Sequence, residues 1–432
     1  MEIFNSKIKG ELENIVVLAK ECCDGTISES FFRDVFQSLK GNIDTINAAR
    51  EYLMDQDVQI LSDSSLVEFM DDTPDATNIP AIKPYDPSKI DISPKNMALV
   101  NLIGRIENDE VDMMPDFQRR AGLWSPIQKS QLIESLILRI PLPAFYFDGT
   151  DNDRWITIDG LQRLTTLKEF FVDKTLRLTG LEFLQDLNGA YYKNIPKVYI
   201  RRMQETQVVC YIINPGAPVN LKYNIFKRIN TGGLELEPQE IRHALYQGYA
   251  TKFLKELAET PNFLKSTGYS VPTERMLDRE FVLRFIAFYE FDLQTYNGSI
   301  DDFLNRAMDH INRVYKSNPT YAAQIKEKFL TVLDACYSIF GKFSFRRMPD
   351  KNKRRSISKA LFETWTSLLA HLNLEHIQIL IEKGDEIQKK YMPMFTEDED
   401  FYRSIGSGKV AAVKKRFEKI DSLIRAVLSN AS

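Results

Sequence analysis

Apolar and polar positions change their rhythm along the chain. Near the start, Ile8, Leu12, Ile15, Val16 and Ala19 form one stripe at helical spacing, and Phe31, Phe32, Val35, Phe36 and Leu39 form a second. Thr26-Ile27-Ser28-Glu29 has the T-x-x-E spacing of a capping box, and the chain reads as helical to about Met70. This is a helical bundle or arm suited to assembly. Residues 71–87, rich in Pro and Asp without periodicity, read as a linker. Beyond it the pattern predicts a helix over 96–106 and a short extended piece over 111–114. Ser125-Pro126 opens another helix, with Leu132, Ile133, Leu136 and Ile137 as its buried stripe. Strands are predicted from 144 to 147, 155 to 158, 197 to 201 and 207 to 213, with 148–154 as a tight hairpin connection. Residues 221–229 read as a helix stopped by Asn230-Thr231-Gly232-Gly233, and Glu237-Pro238 starts the next, through Ile241, Ala244 and Leu245 to about Gly248. From about Ala250 onward nearly everything is helical. There 275–291 buries Met276, Phe281, Leu283, Ile286 and Phe288, and Glu280–Arg284 reads as an i, i+4 surface pair. A last helix over 410–428 looks structural.

The sharpest local signal lies where the period switches. Trp155-Ile156-Thr157-Ile158 is β-branched and apolar; Asp159-Gly160 breaks it; Leu161, Leu164, Leu167, Phe170 and Phe171 then recur at helical spacing. A strand that runs through a glycine into a helix leaves free backbone N–H groups and a positive dipole end beside the turn. Arg163 adds a cationic fork, Thr165 and Thr166 add hydroxyls, and Asp159 offers a carboxylate for a metal or a water. That inventory suits a nucleotide phosphate. An ordinary strand–turn–helix with a solvated arginine fits the same spacing, because one glycine is a weak motif.

Composition removes several classes. The 432 residues are enough for two or three domains, and the 44% apolar and 27% charged fractions are those of an ordinary globular protein. A net charge of -4 gives no global attraction to nucleic acid, so any such contact needs a local patch. Cys22, Cys23, Cys210 and Cys336 form no C-x-x-C pair and suit buried thiols in a reducing compartment. No stretch approaches the apolar length of a membrane span and no signal pattern opens the chain, so a cytoplasmic location without membrane contact is expected. His243, His310, His371 and His376 stand in no metal-ligand spacing, and neither a G-x-x-x-x-G-K-[ST] loop nor a G-x-S-x-G elbow is present.

Three further segments can carry polar chemistry. Met114 to Arg120 places Asp116, Gln118 and Arg119 in a turn beside Phe117, either a ligand contact or a salt-bridged loop. The Asn230–Gly233 run has more backbone freedom than a helix stop needs and can bring N–H groups to a ligand, or be a plain loop. Residues 343–359 are the densest basic stretch, with Arg346, Arg347, Lys351, Lys353, Arg354, Arg355 and Lys359, either solvated or DNA-binding.

These segments together carry a resemblance. FQRRAGLWSPIQKSQLIESLILRIPLPAFYFD, WITIDGLQRLTTL and FKRINTGGLELEPQEIRHALY closely resemble the N-terminal domain family of the GmrSD-type restriction endonucleases, with RMLDREFVLRF and the FRR…SISKALF segment as its usual continuation, so that the likeness runs from about Lys83 onward. The resemblance implies a ParB/sulfiredoxin-like fold whose strand–Gly-x-x-Arg–helix turn binds nucleotide phosphates, in bacterial anti-phage or modification-sensing systems. The family's D-G-Q-Q-R turn falls on Asp159, Gly160, Leu161, Gln162 and Arg163, with Leu161 departing from the usual Gln; its F-Q-R falls on Phe117, Gln118 and Arg119; its R-x-N-T-G-G falls on Arg228, Asn230, Thr231, Gly232 and Gly233. A leucine cannot hydrogen-bond phosphate or water, which puts hydrolysis in question while leaving binding intact. Nuclease members often carry a C-terminal His-Asn-His-type domain, for which this chain has neither the histidines nor the room; if DNA is cut, a partner chain or the ParB-like core cuts it.

The expected architecture is α+β. A helical arm and linker occupy residues 1–82, a ParB-like mixed α/β nucleotide-binding domain 83–249, and a helical domain with the basic patch 250–432. The leading reading is a nucleotide-binding sensor or regulatory subunit of a bacterial restriction or anti-phage system, whether silent or a slow NTPase. Its ligands would be a nucleoside triphosphate and Mg²⁺. Gln118, Arg119, Gly160, Arg163, Thr165, Thr166, Arg228, Asn230, Thr231 and Gly232 would contact nucleotide. Arg163 would stabilise phosphate charge, Asp159 would hold Mg²⁺ or water, and Gln162 would orient that water. The alternatives are a non-catalytic DNA-binding module of ParB-like fold, a nuclease acting through a partner chain, and an assembly protein with the N-terminal helices as its interface; DNA, a nuclease or other defence-system protein, and further copies of the chain in a homo-oligomer are the candidate partners.

Overall fold

The computed structural model describes residues 4, 6–22, 25–38, 43–62, 92–113, 124–149, 153–214, 222, 223, 225, 237–352 and 354–430. The chain divides into two compact units, residues 82–245 and residues 1–81 with 246–432. The architecture is mixed α+β and mostly helical.

In the second of these units the early helical stripe is interrupted. Strand β1, Thr26–Ser28, pairs in parallel with β2, Gln59–Leu61, so the region is not helical throughout. The helix Glu29–Ser38 is capped by Ser28, whose Oγ accepts from the Phe31 N–H at 3.1 Å, and not by Thr26, which is spent in the strand. Phe32 and Phe36 fill the space between this helix and its neighbours, Ser6–Cys22 and Ile43–Asp55. Phe31 lies 4.8 Å from Tyr269, and Ser30 Oγ accepts from the Thr273 N–H, which ties the N-terminal helices to the C-terminal ones. The linker segment 71–87 lies outside the described residues.

The C-terminal helices pack around Phe281, Phe285, Phe329, Phe362 and Trp365. Glu280 and Arg284 are not a surface pair, as their spacing suggested. They are nearly buried and continue into Glu363, itself fully buried, which also receives Arg416 from the helix Val410–Ser429. Three helices are thereby locked by charge inside an apolar core, an arrangement tolerable only because every carboxylate has a guanidinium partner.

The unit 82–245 is built on a five-stranded mixed sheet. Its strands are β3 (Ile92–Ala98), β4 (Val111–Asp112), β5 (Phe145–Asp148), β6 (Trp155–Asp159) and β7 (Gln207–Ile213), ordered β3-β7-β5-β6-β4. β3/β7 and β5/β6 are antiparallel; β7/β5 and β6/β4 are parallel. Two expectations change. The predicted helix over 96–106 begins only at Leu99, because 92–98 pairs along the whole of β7. The predicted strand over 197–201 is a helix, Lys197–Gln204, which turns Met203 into the core. Helices Leu99–Glu107, Pro126–Ile137 and Leu161–Leu167 cover the sheet through Phe145, Phe147 and Trp155. Ser125 and Gln128 close a reciprocal capping box at the start of Pro126–Ile137. Cys210 sits in this core, where burial pushes its thiol up to about 11, and Cys336 is likewise buried. Cys23 and the side chain of Cys22 lie outside the described residues.

Candidate functional site

β6 ends at Asp159, and Gly160 carries the chain into Leu161–Leu167 with φ 101° and ψ 11°. A side chain is excluded twice over. That φ is left-handed, and a Cβ would stand 2.6 Å from Cδ1 of Phe145. Among the described residues no side chain caps the helix that follows, so within them its first N–H groups have no intrahelical acceptor and no capping oxygen. The helix continues without a break into a π-helical turn, Lys168–Val172.

Arg163 is committed to the fold. It is 8% exposed, donates to the Pro143 and Ala144 carbonyls and to Asp159 Oδ2 at 3.0 Å, and lies 4.6 Å from the centre of the Phe145 ring. Burial pulls its pKa down, and Asp159 opposes that shift. The sequence suggested a cationic fork for phosphate or a solvated arginine; in the structure this guanidinium clamps the turn onto the loop before β5. The hydroxyls of Thr165 and Thr166 donate back to the Leu161 and Gln162 carbonyls, at 2.9 and 2.8 Å, and Thr166 has no exposed surface. Both hydroxyl protons are used inside the helix.

What faces outward is smaller. The Asp159 side chain is 29% exposed with one oxygen on Arg163. Leu161 and Gln162 are half-buried. Gln162 Oε1 accepts from the Trp124 N–H at 3.2 Å, which fixes this amide against the chain directly after the 114–123 segment. Gln118, Arg119, Arg228, Asn230, Thr231, Gly232 and Gly233 lie outside the described residues, as do most of the predicted helix over 221–229 and Lys353.

A buried polar cluster escaped the sequence reading. Lys222 Nζ contacts both oxygens of Asp148, at 3.0 and 2.8 Å, with both side chains almost fully buried. Arg242 donates to Gln239 Oε1 at 2.8 Å and reaches the Tyr223 hydroxyl at 3.5 Å. The helix Pro238–Leu245 buries Gln239, Glu240, Arg242 and His243. A search for an apolar stripe finds Ile241, Ala244 and Leu245 there; the available signal was four polar residues, Gln239, Glu240, Arg242 and His243, within a helix with few apolar ones. Among the described residues no group of three or more metal-ligating side chains occurs.

The basic segment is divided in its duties. Arg346, 2% exposed, donates to the Thr267 carbonyl and Ser270 Oγ, at 2.8 and 2.6 Å, and Arg354 donates to the Gly268 carbonyl at 2.8 Å. Both brace the end of the helix Pro261–Thr267, which withdraws Arg346 from any phosphate backbone. Arg347 stacks over Tyr402 at 4.3 Å, and Lys359 pairs with Glu280 at 3.3 Å. Lys351 and Arg355 remain exposed.

Residues 99–247, which contain the sheet from β4 to β7, the glycine turn and the buried cluster, match the family described as GmrSD restriction endonuclease, N-terminal domain. This part of the chain is a GmrSD-type restriction endonuclease N-terminal domain, which points to a restriction-system component. The match ends at 247, so the C-terminal helices that the sequence reading took as the family's continuation lie beyond it. Searches of curated proteins and of solved structures returned no significant match. Among the described residues no helix is long and apolar enough to cross a membrane.

Proposed function

We propose that the glycine turn after β6 binds the phosphates of a nucleotide, and that the chain is the nucleotide-sensing or regulatory component of a bacterial restriction system. The observation that carries this reading is the uncapped helix start behind Gly160, held rigid from beneath by Arg163. Backbone N–H groups at such a start are donors without acceptors, and the dipole there favours an anion. We read the mixed sheet with this turn as a ParB/sulfiredoxin-like core. Asp159 keeps one carboxylate oxygen clear of Arg163, which fits the single-carboxylate mode in which Mg²⁺ joins a protein to nucleotide phosphates. Mg²⁺, when bound with nucleotide, supplies charge neutralisation. Asp159 would hold a proton-accepting oxygen at the turn, and Gln162, anchored on Trp124, would orient a water. Leu161 supplies no such group, which favours sensing over turnover. DNA is the target we assign to the system, with cutting left to a nuclease partner.

The experiment is equilibrium binding of labelled ATP, GTP and CTP to the full chain with Mg²⁺, for the parent and for Asp159→Asn and Gln162→Ala. Binding to the parent, lost or weakened at least severalfold in Asp159→Asn with an unchanged melting curve, supports the site. No binding of any of the three at millimolar concentration removes it.

A further inference from the structure

The helix that the sequence misread as a strand presents a surface with an unusual charge. Residues 191–204 read YYKNIPKVYIRRMQ: Lys193, Lys197, Arg201 and Arg202, with no acidic residue, in a chain whose net charge is -4. The helix Lys197–Gln204 turns Met203 inward, while Arg202 donates to the Ile137 carbonyl at 3.4 Å and lies over Tyr199. The opposite face carries Lys197, Val198 and Arg201, all exposed, Val198 by 61%, with exposed Lys193 just ahead.

This face carries an excess of positive charge, with Glu205 at the helix end as the acidic residue that follows it. Among the described residues no side chain of Lys193, Lys197 or Arg201 has an ion pair, hydrogen bond or aromatic partner, whereas the arginines of the 346–354 segment are mostly spent on their own fold. Lys197 and Arg201 stand one helical turn apart, about 6 Å, a like-charge spacing that weakens a helix. No acidic residue in the first turn offsets Lys197 there. Solvated surfaces ordinarily intersperse both signs. Three exposed cations whose side chains have no ion-pair partner among the described residues, with one carboxylate, Glu205, a turn beyond Arg201, still leave an excess of positive charge that a polyanion complements.

We infer that the face of Lys193, Lys197 and Arg201 contacts the phosphodiester backbone of duplex DNA. Lysines acting as point charges supply affinity and register without reading bases, so the contact is independent of sequence. The inference stands apart from the nucleotide reading, because the residues are not those of the glycine turn.

The test is fluorescence anisotropy of the full chain with labelled duplexes of two unrelated sequences, from 50 to 200 mM salt. The parent is compared with Lys193→Gln/Lys197→Gln/Arg201→Gln and with Lys351→Gln/Arg355→Gln. Each lost phosphate contact flattens the slope of log affinity against log salt by about 0.9, so the triple variant should shallow it by about 2.7 and lose at least tenfold in affinity at low salt, alike for both sequences. Its melting curve and its nucleotide binding should match the parent. The proposal is overturned if the parent binds neither duplex, if the triple variant keeps the parent's affinity and slope, or if the loss falls only on Lys351→Gln/Arg355→Gln. It is equally overturned if the triple variant loses binding to polyglutamate but not to DNA, which would make the face a dock for an acidic protein segment.

Discussion

Arg163→Ala separates a structural guanidinium from a ligand-binding one. The substitution orphans the Pro143 and Ala144 carbonyls, leaves Asp159 without its cation and removes the cover from the Phe145 ring. Each acceptor left unpaired costs up to about 1–3 kcal/mol, less at Pro143, which is exposed, and the ring contact adds about 0.5–1 kcal/mol. These terms overlap because one side chain makes them all and because Pro143 and Asp159 can turn to water, so the total is about 2–4 kcal/mol. For a unit of this size that is roughly 4–16 °C in melting temperature. Arg163→Lys keeps the charge but not the fork and should fall between parent and Ala. Thermal melts followed by circular dichroism, with hydrogen exchange of the peptide over 155–172, read the effect directly. Early exchange of that peptide should accompany the lower melt. Were Arg163→Ala to melt within about 1 °C of the parent while losing nucleotide affinity ten- to a hundredfold, the guanidinium would be facing a ligand and the clamp described above would be mistaken.

Four further outcomes follow from named contacts. Gly160→Ala should destabilise the unit 82–245 by about 1–3 kcal/mol in urea denaturation, since it meets both a left-handed φ and Phe145; a neutral result would contradict the turn geometry. Asp148→Ala should cost about 3–5 kcal/mol by taking from the buried Lys222 ammonium the carboxylate that meets it with both oxygens, and adding Lys222→Met should restore much of it; strict additivity would show that the pair is not coupled. Asp398 caps Glu399–Ile405, and its bond from Lys419, then that from the Phe401 N–H, hold its carboxyl below the usual carboxylate range. Its stabilising contribution is therefore present above pH about 4 and lost as the pH falls below that, and acid titration of Asp398→Asn should lack this component. Leu161→Gln should leave nucleotide affinity within about twofold and raise phosphate release in a coupled assay if a second amide positions water; unchanged release would leave the site a sensor alone.

Local chemistry was legible wherever one or two residues decide the backbone. Ser125-Pro126 announced its helix, and Gly160 announced its turn, because capping geometry and a left-handed φ admit few residue types. The turn motifs also carried the family, which the match over 99–247 bears out. Short apolar runs were another matter. K-V-Y-I-R fits a strand as well as a helix over five residues, and only the burial of Met203 settles it. Residues 92–98 became a strand because β7 offered a partner along its whole length, and Thr26 lost its capping role when β2 came alongside. The fate of charged side chains was least legible of all. Arg163, Arg346 and Glu280 look like surface groups in the sequence, and the fold buries each one against acceptors or cations 4 to 79 positions away. Periodicity reports which backbone a segment prefers; whether a guanidinium faces water or a carbonyl depends on which distant segment arrives beside it, and that is decided by packing.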